Sequence, residues 1–523
     1  MNQTSHLIDQ KIDINSDFIH ALDRIEHAQS PLYITGQAGT GKSTLLKHFR
    51  ANTNKKIVVA APTGIAALNV GGQTIHSLFG FSSNVTPNEI KNSHLQKSRQ
   101  KLFRQMEILI IDEISMVRAD LMDCIDESLR CHLKNDLPFG GKQIVMFGDL
   151  YQLPPVISSQ EEREIFRTVY PSPFFFDAKI FIQLPIERIE LKKIFRQNDQ
   201  KFINLLNNIR HNQISDHDLN LLNSCYQPNS FDSDEGYITL CTTNQTANEI
   251  NNFKLSQLPG KPSTYSGTIN GDFNQNNLPT EFVLSIKINA QIMMLTNDPA
   301  GRWVNGSMGQ VVDIVTDCKT HQDILIVEIF GEKLVEVTPH TWEASRFYYD
   351  TDTQAINFDV AGSFTQYPLR LAWAITIHKS QGKTFDKVII DIGRGSFSAG
   401  QVYVAVSRAT SLDGLILKKP ILKRHIWTDP QIVNFMNGGQ PSNSNVDHSA
   451  QNKIDIIQKA IDNYDTLKIV YLKPDNTKSN REIKPQYVGE VEFFGQKYIG
   501  VEAYCLERKA IRQFKLDRII QIG

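Results

Sequence analysis

The chain has 523 residues, 41% hydrophobic and 21% charged, with a formal net charge of −1. That length exceeds what one hydrophobic core can organise and predicts three or four folding units. The balanced charge excludes a uniformly basic nucleic-acid binder and leaves room for a local groove. Six cysteines, at 124, 131, 225, 241, 318 and 505, form no CxxC pair and no zinc-ligand spacing. No apolar run is long enough to cross a bilayer, and Met1 to Asp17 lacks the apolar core of a signal peptide. These features predict reduced, partly buried thiols in a cytoplasmic protein with no membrane partner.

From Pro31 to about Leu191, short apolar runs alternate with helix-length amphipathic segments, and the clearest strands are Leu32–Thr35, Lys56–Ala61, Ile108–Ile111 and Gln143–Phe147. Continuous apolar strands of this kind predict a parallel sheet covered by helices on both faces. After about Lys192 the chain turns helical and then gives a strand at Tyr237–Cys241. Residues 262–365 are rich in Thr, Val, Asn and Gly, with strand patterns at Gly309–Val315 and Ile324–Phe330, and predict a mostly β insertion. The α/β texture resumes at Leu369, with a strand at Lys387–Asp391 and a helix from near Ser398. Residues 436–450 are polar and rich in Gly, Pro, Ser and Asn, which marks a linker, and a helix near Lys453–Asn463 followed by short strands makes a compact tail.

Gly36-Gln37-Ala38-Gly39-Thr40-Gly41-Lys42-Ser43, followed by Thr44, matches G-x-x-x-x-G-K-[ST] in full. Glycines let such a loop wrap closely, so its backbone N–H groups cradle phosphate oxygens, and the helix from near Lys42 points its positive end at the same charge. Lys42 is expected to neutralise the β and γ phosphates of ATP, and Ser43 to offer its hydroxyl to Mg²⁺. Ile108 to Ile111 form an apolar strand that delivers Asp112 and Glu113. Asp112 is expected to hold Mg²⁺ through water and Glu113 to polarise the attacking water as a general base. After a third apolar strand, Gly148-Asp149-Leu150-Tyr151-Gln152-Leu153-Pro154-Pro155 offers Gln152 to the γ-phosphate or the attacking water. By spacing alone, a rigid proline turn with a solvated Gln152 fits equally well.

Longer runs carry a resemblance. APTGIAALNVGGQTIHSLF (Ala61 to Phe79), GDLYQLPPV, IFRQND (Ile194 to Asp199), WVNGSMGQV (Trp303 to Val311), AWAITIHKSQGKTFDKVIID (Ala372 to Asp391) and SAGQVYVAVSRAT (Ser398 to Thr410) resemble, in order, the motifs of the PIF-one/RecD-like helicases of superfamily one. The resemblance implies two RecA-like domains with ATP between them and single-stranded DNA across their tops. It divides the chain into a first RecA-like domain with the phosphate loop and a wedge segment (1–190), a second RecA-like domain (191–261 and 366–428), the β insertion (262–365) and a linker (429–450).

By the same resemblance Arg196 and Arg408 reach the γ-phosphate from the second domain, where a positive charge is worth roughly 10³-fold in rate. Gln401 resembles a nucleotide-sensing position, and Gly36, Gly39, Thr40, Gly41, Lys42, Ser43 and Thr44 form the nucleotide cradle. Thr63, Gly64, His76, His378, Lys379 and Ser380 lie in matching DNA-contact motifs and are expected to grip phosphates without regard to sequence. Phe79 or Phe81 could stack on bases, against core packing as the favoured reading. Many relatives read adenine with a Gln upstream of the phosphate loop; the comparable place here, by spacing to Ala21, holds Phe18.

Residues 451–523 resemble a WYL domain, a small β-barrel that binds nucleic acid or a nucleotide-like ligand. From Lys453 to Gly523 the tail has 13 Lys+Arg against 10 Asp+Glu, a local charge of 13 − 10 = +3. Lys497 stands where the signature Trp would be, before Tyr498 and Ile499. Arg508, Lys509, Arg512 and Arg518 are the expected ligand cations, with Tyr504 and Phe514 beside them; a solvated basic face is the competing reading. The fold expected is α/β, with two RecA-like P-loop domains, a mostly β insertion in the second and a C-terminal small β-barrel. The function expected is an ATP- and Mg²⁺-dependent helicase or translocase moving 5′→3′ on single-stranded DNA and acting on tailed duplexes. A DNA-stimulated ATPase that remodels without separating strands uses the same motifs. A non-motor binding protein with a dead ATPase is argued against by Lys42, Asp112, Glu113, Arg196 and Arg408 all being present. A monomer is the expected working form, and the Asn-rich composition with the WYL-like tail points to a bacterial source.

Overall fold

The computed structural model describes residues 14–522 except 83–84, 92–94, 158–165, 167–168, 183, 198, 228–235, 276–277, 331–333, 351–352, 394, 397, 439–447, 464, 473–477, 494–495 and 509. The chain divides into two units, Met1–Val156 with Pro173–Gln440, and Ile157–Ser172 with Pro441–Gly523.

The larger unit begins with α1 (Ser16–His27), β1 (Leu32–Gly36), α2 (Lys42–Asn52), β2 (Ile57–Ala61), α3 (Gly64–Asn69), β3 (Gln73–Thr74) and α4 (Ile75–Phe79). It continues through α5 (Pro87–Lys91), α6 (Lys97–Gln105), β4 (Ile108–Ile111), α7 (Ala119–Leu133), β5 (Gln143–Phe147) and β6 (Glu187–Leu191). The strands form one parallel sheet in the order β3-β2-β4-β5-β1-β6. Every residue of β1, β4 and β5 is buried, which is why these strands are apolar but for Thr35 and Gln143. Phe18 and Ile25 of α1 and Leu45 and Phe49 of α2 pack onto Leu32, Ile34, Ile110 and Phe147 to make its core. Because the strands are parallel, the loops after β1, β4 and β5 all leave from one edge, and those three loops carry the phosphate-binding run, Asp112-Glu113 and Gly148 to Pro155.

A second, smaller α/β layer follows. It comprises α8 (Gln200–Arg210), α9 (Asp216–Asn223), β7 (Ile238–Cys241) and α10 (Asn244–Gln257), then β18 (Ala374–Thr376), β19 (Val388–Asp391), α11 (Gln401–Val406) and β20 (Leu415–Leu417). Its sheet, β18-β7-β19-β20, is again parallel. The chain returns to the first layer in α12 (Pro430–Met436), whose Phe435 ring lies flat on Phe176, with centroids 4.3 Å apart and planes at 4°.

Between α10 and β18 lies the β insertion: β8 (Ser263–Ser266), β9 (Thr268–Gly271), β10 (Val283–Ile286), β11 (Gln291–Met294), β12 (Met308–Thr316), β13 (Asp323–Ile329), β14 (Leu334–Val337), β15 (His340–Asp350), β16 (Ala355–Gln366) and β17 (Leu369–Leu371). Its main sheet, β14-β13-β12-β11-β17, is antiparallel around Ile292, Val311, Leu325 and Val327. The sequence boundary at residue 365 falls short, because Leu369–Leu371 pairs with β11 and the parallel sheet resumes only at Ala374. The β15–β16 hairpin reaches back to the first layer. There Phe347 N–H donates to Gln73 Oε1 at 3.1 Å, and the Lys56 and Lys101 ammoniums stand 5.2 and 5.5 Å from the Tyr349 ring centre.

The smaller unit holds α13 (His448–Asn463), β21 (Leu467–Leu472), β22 (Lys478–Phe493), β23 (Gln496–Cys505), β24 (Ala510–Lys515) and β25 (Ile519–Ile522). They make an antiparallel sheet, β24-β23-β22-β21-β25, over a core of Ile457, Ile483, Val501, Ala503 and Phe514. Three residues, Leu516–Arg518, join the two edge strands. Such a link spans at most about 15 Å, whereas edge strands of a flat five-stranded sheet lie about 19 Å apart. The sheet is therefore curled, although among the described residues no ladder joins β24 to β25. All six cysteines are free, Cys124, Cys241 and Cys505 buried, Cys131 and Cys318 exposed. No described helix is long and apolar enough to cross a membrane.

Phe176 is 2% exposed and stacks on Phe435, so Phe176→Ala removes both core volume and the seat of α12. The expected loss is about 3–5 kcal/mol, read as a lower urea midpoint; a midpoint equal to wild type would refute this anchoring.

Candidate functional site

The loop after β1 is shaped by two left-handed glycines, Gly39 at φ 84° and Gly41 at φ 83°. A methyl group on Gly39 would sit 2.5 Å from Arg196 Cβ, and one on Gly41 would sit 2.9 Å from Phe18 Cζ. Glycine is thus required both by backbone angle and by close approach. Lys42 folds its ammonium over the loop, donating to the carbonyls of Gly36 at 2.7 Å and Gln37 at 3.0 Å, while Thr40 Oγ1 donates to Gln37 O at 2.9 Å. Burial lowers the Lys42 pKa, opposed by the charges of Asp149, Glu113 and Asp112. Ser43 and Thr44 are exposed on the first turn of α2.

Asp112, 8% exposed, follows β4 directly, and Glu113 comes next in a left-handed conformation at φ 51°. Burial pushes Asp112 up to about 6 and Glu113 up to about 7; Asp112 adds to the rise at Glu113, and the Lys42 charge opposes both. Glu113 accepts at 3.0 Å from Gln381 Nε2, which also donates to Gln152 Oε1 at 3.2 Å. Gln152 is 7% exposed, which removes the solvated alternative for this side chain.

The second α/β layer supplies the other wall. Phe195 N–H donates to Gly39 O at 2.8 Å, and Arg196 Nη1 donates to Ser407 O at 3.2 Å. Arg408, 1% exposed, donates through Nε to Val404 O at 2.9 Å, through Nη1 to Lys383 O at 3.1 Å and through Nη2 to Ser407 Oγ at 2.9 Å. Burial and the neighbouring Arg196 charge lower the Arg408 pKa, yet a guanidinium remains charged at neutral pH. Gln401 opens α11, fully buried, beside Gly400, where an added Cβ would lie 2.3 Å from Tyr151 O and 2.6 Å from Gln152 O. Phe18 is core, 2% exposed and edge-on to Phe195 at 6.3 Å, so it offers no hydrogen bond to a base.

Three residues outside the sequence-derived site join this cluster. Asp149 accepts from Arg210 Nη2 at 3.0 Å, Tyr151 N–H at 3.2 Å, Gln152 Nε2 at 3.3 Å and Tyr403 OH at 3.4 Å, and Tyr403 OH accepts from Ala38 N–H at 3.1 Å. Asp149 and Tyr403 stand inside runs already singled out, but nothing in their spacing distinguishes them. Arg210 lies in no motif.

The DNA-contact candidates are placed less uniformly. Thr63 Oγ1 caps α3 by accepting from Ala66 N–H at 3.2 Å, and Gly64 opens that helix. His76 and His378 are half-buried with pKa values lowered by burial, aided at His76 by Arg118, so both are neutral at pH 7. Lys379 is exposed. Ser380 does not reach the surface: it is 0% exposed, its hydroxyl donates to Ile377 O at 2.7 Å, and its carbonyl accepts from Arg408 Nη1 at 3.4 Å. Phe79 is core, packed between Phe81 at 5.1 Å and Phe103 at 4.9 Å.

In the smaller unit Arg508 and Arg512 are exposed and Arg518 is half-buried; Tyr504 is half-buried and Phe514 packs in the core against Tyr471. Lys509 lies outside the described residues. No group of three or more His, Cys, Asp or Glu that could hold a metal occurs among the described residues. The hydroxyl of Ser43 and the carboxylate of Asp112 nonetheless suit Mg²⁺, a hard ion usually held by one or two carboxylates together with substrate phosphates.

Comparison with known proteins agrees with this geometry. Residues 13–220 match the PIF1-like helicase family, 371–416 the UvrD-like helicase C-terminal domain, and 452–522 the WYL domain. The chain is 30% identical over 459 residues to the ATP-dependent DNA helicase RRM3 of Saccharomyces cerevisiae, covering 73% of this chain but only 62% of that protein. It is 30% identical over 435 residues to the ATP-dependent DNA helicase Pif1 of Bdellovibrio bacteriovorus, covering 81% of this chain and 92% of the relative. Pif1 from Bacteroides in complex with ADP-AlF4 is 37% identical, with a TM-score of 0.74 over 82% of this chain and 98% of that one. The same protein bound to ssDNA gives 38% and 0.60 over 81% and 96%. The chain belongs to the PIF1-like helicase family and carries a WYL domain after it.

Proposed function

We propose that the chain is an ATP-dependent DNA helicase that moves 5′→3′ on single-stranded DNA and opens tailed duplexes in replication, repair or recombination. The observation that carries this reading is the convergence of Lys42, Asp112 and Glu113 from one α/β layer with Arg196 and Arg408 from the other. In this reading Gly36, Gly39, Thr40, Gly41, Ser43 and Thr44 cradle the phosphates, with Gln401 as a sensor. Ser43 and Asp112 would hold Mg²⁺, which when bound neutralises phosphate charge and lets the β and γ groups be gripped. Glu113 takes the proton of the attacking water, Gln152 orients that water, and Arg196 and Arg408 meet the charge that develops on the γ-phosphate. Hydrolysis then depends on the two layers being closed on each other.

Thr63, Gly64, His76, His378 and Lys379 grip the DNA backbone, the two neutral imidazoles as hydrogen-bond donors and Lys379 as a charge, while the segment after Pro62 acts as the wedge. Ser380, being buried, supports Arg408 in this scheme and leaves the DNA contact to its neighbours. A nucleic-acid or nucleotide ligand meets Arg508, Arg512 and Arg518 in the WYL domain. The working form is a monomer in a bacterial cytoplasm.

The deciding test is ATP-driven unwinding of duplexes with a 5′ or a 3′ single-stranded tail, with Lys42→Ala as control. Separation from the 5′ tail only, abolished in the variant, is expected. ATP hydrolysis stimulated by DNA with no separation from either tail would instead favour a translocase that remodels without unwinding.

The pH profile gives a second test. Glu113 works as a carboxylate, and its pKa is pushed up to about 7, so the active form accumulates as pH rises through that value. Hydrolysis at pH 6 is expected to be roughly tenfold slower than at pH 8. A rate flat between pH 6 and 8 would remove Glu113 from the role of base.

A further inference from the structure

Asp149 and Arg210 form an ion pair at 3.0 Å with side chains 0% and 1% exposed, in a chain whose other ion pairs, among the described residues, each leave at least one partner partly exposed. The pair spans the two α/β layers, since Asp149 follows β5 and Arg210 ends α8. Burial alone would raise the Asp149 pKa, but the charges of Arg210 and Lys42 outweigh it and hold the carboxyl below the usual range. Arg210 also lies over the Tyr151 ring at 4.4 Å, so its position is fixed from two sides.

Tyr403 completes the group. Its hydroxyl has one proton, and the geometry assigns that proton to Asp149 and a lone pair to the N–H of Ala38. Ala38 belongs to the loop expected to cradle the phosphates, and Asp149 holds both the Tyr151 N–H and the Gln152 side chain of the Gly148 to Pro155 run. One side chain on α11 of the second layer therefore touches the phosphate loop and, through one carboxylate, the glutamine that faces Glu113 by way of Gln381. The ring is 3% exposed, so water does not replace its hydroxyl when that hydroxyl is removed.

We propose that Tyr403, seated on the buried Asp149–Arg210 pair, is a positioning residue that sets the phosphate loop and Gln152 together when the two layers close. It thereby couples closure to hydrolysis. The inference rests on the ATPase reading above. It assigns no chemistry to Tyr403, whose contribution passes through Ala38 and Asp149.

Tyr403→Phe keeps the ring and its packing and removes only the two hydrogen bonds. With single-stranded DNA present, kcat for ATP is expected to fall about tenfold. KM for ATP and the fraction of active sites are expected to stay near the wild-type values, and the melting temperature to fall by no more than about a few degrees, the cost of leaving the Ala38 N–H without its partner. Combined with Gln152→Ala, the losses are expected to be smaller than the product of the single effects, because both changes break one arrangement. A kcat for Tyr403→Phe equal to wild type, or a loss that simply multiplies with that of Gln152→Ala, would overturn the proposal while leaving the ATPase reading intact. A fall in kcat matched by a fall in melting temperature and in the fraction of active sites would overturn it in favour of a purely structural bond. A wild-type chain that does not hydrolyse ATP would overturn both.

Discussion

Like charges held together in a buried site dominate this molecule. Arg196 and Arg408 stand close enough that the charge of one lowers the pKa of the other, and both are bonded largely to backbone carbonyls. Lys42 and Arg210 add two more cations, set against Asp112, Glu113 and Asp149. Glu113, with its pKa near 7, carries only part of a charge at neutral pH. Four basic groups thus face three carboxyls, in a region where screening by water is weak. A polyphosphate is the natural complement, and its arrival lowers the energy of a closed arrangement that is otherwise in mutual repulsion.

The fold places those charges by simple means. A parallel sheet sends the loops after β1, β4 and β5 to the same edge, so Lys42, Asp112 and Asp149 meet although they lie far apart in sequence. The glycines of the first loop let the second layer come to within side-chain contact, which is why Arg196 Cβ sits where a methyl on Gly39 would be. The β insertion adds a separate constraint, since its long hairpin is tied to Gln73 and Tyr349 is flanked by Lys56 and Lys101. The layers are thus bridged beside the nucleotide loop and again through the hairpin.

Much of this was legible in the sequence because periodicity and motif chemistry are local. The strands at Ile108–Ile111 and Gln143–Phe147 are those expected, since full burial leaves them apolar but for Gln143, whose amide donates to Ile25 O at 3.1 Å. The limit of the insertion was not, because Leu369–Leu371 is apolar enough for either sheet and only its antiparallel pairing with β11 decides. Ser380 was misplaced for a related reason: its type suits a phosphate contact, but a turn after β18 rotates its hydroxyl onto Ile377 O. Arg210 was invisible, since an arginine ending an amphipathic helix looks like any surface cation until a carboxylate from another layer is found 3.0 Å away. Pairings between residues distant in sequence, such as Ala38 with Tyr403, leave no trace in spacing.

The polar character of the contact between the layers has a thermodynamic reading. A buried ion pair is a poor source of stability, because desolvation cancels most of its attraction, and apolar residues of the same volume often hold as well or better. An apolar seam, however, would cost about 25 cal/mol for each Å² exposed whenever the layers part. Asp149, Arg210, Tyr403 and Gln152 instead recover hydrogen bonds to water on opening, so the same contacts that are specific when closed are inexpensive to break. A seam of this kind suits a cycle of repeated closure and release far better than a permanent joint. The apolar anchoring is found elsewhere, at Phe176 and Phe435, where α12 has no reason to leave.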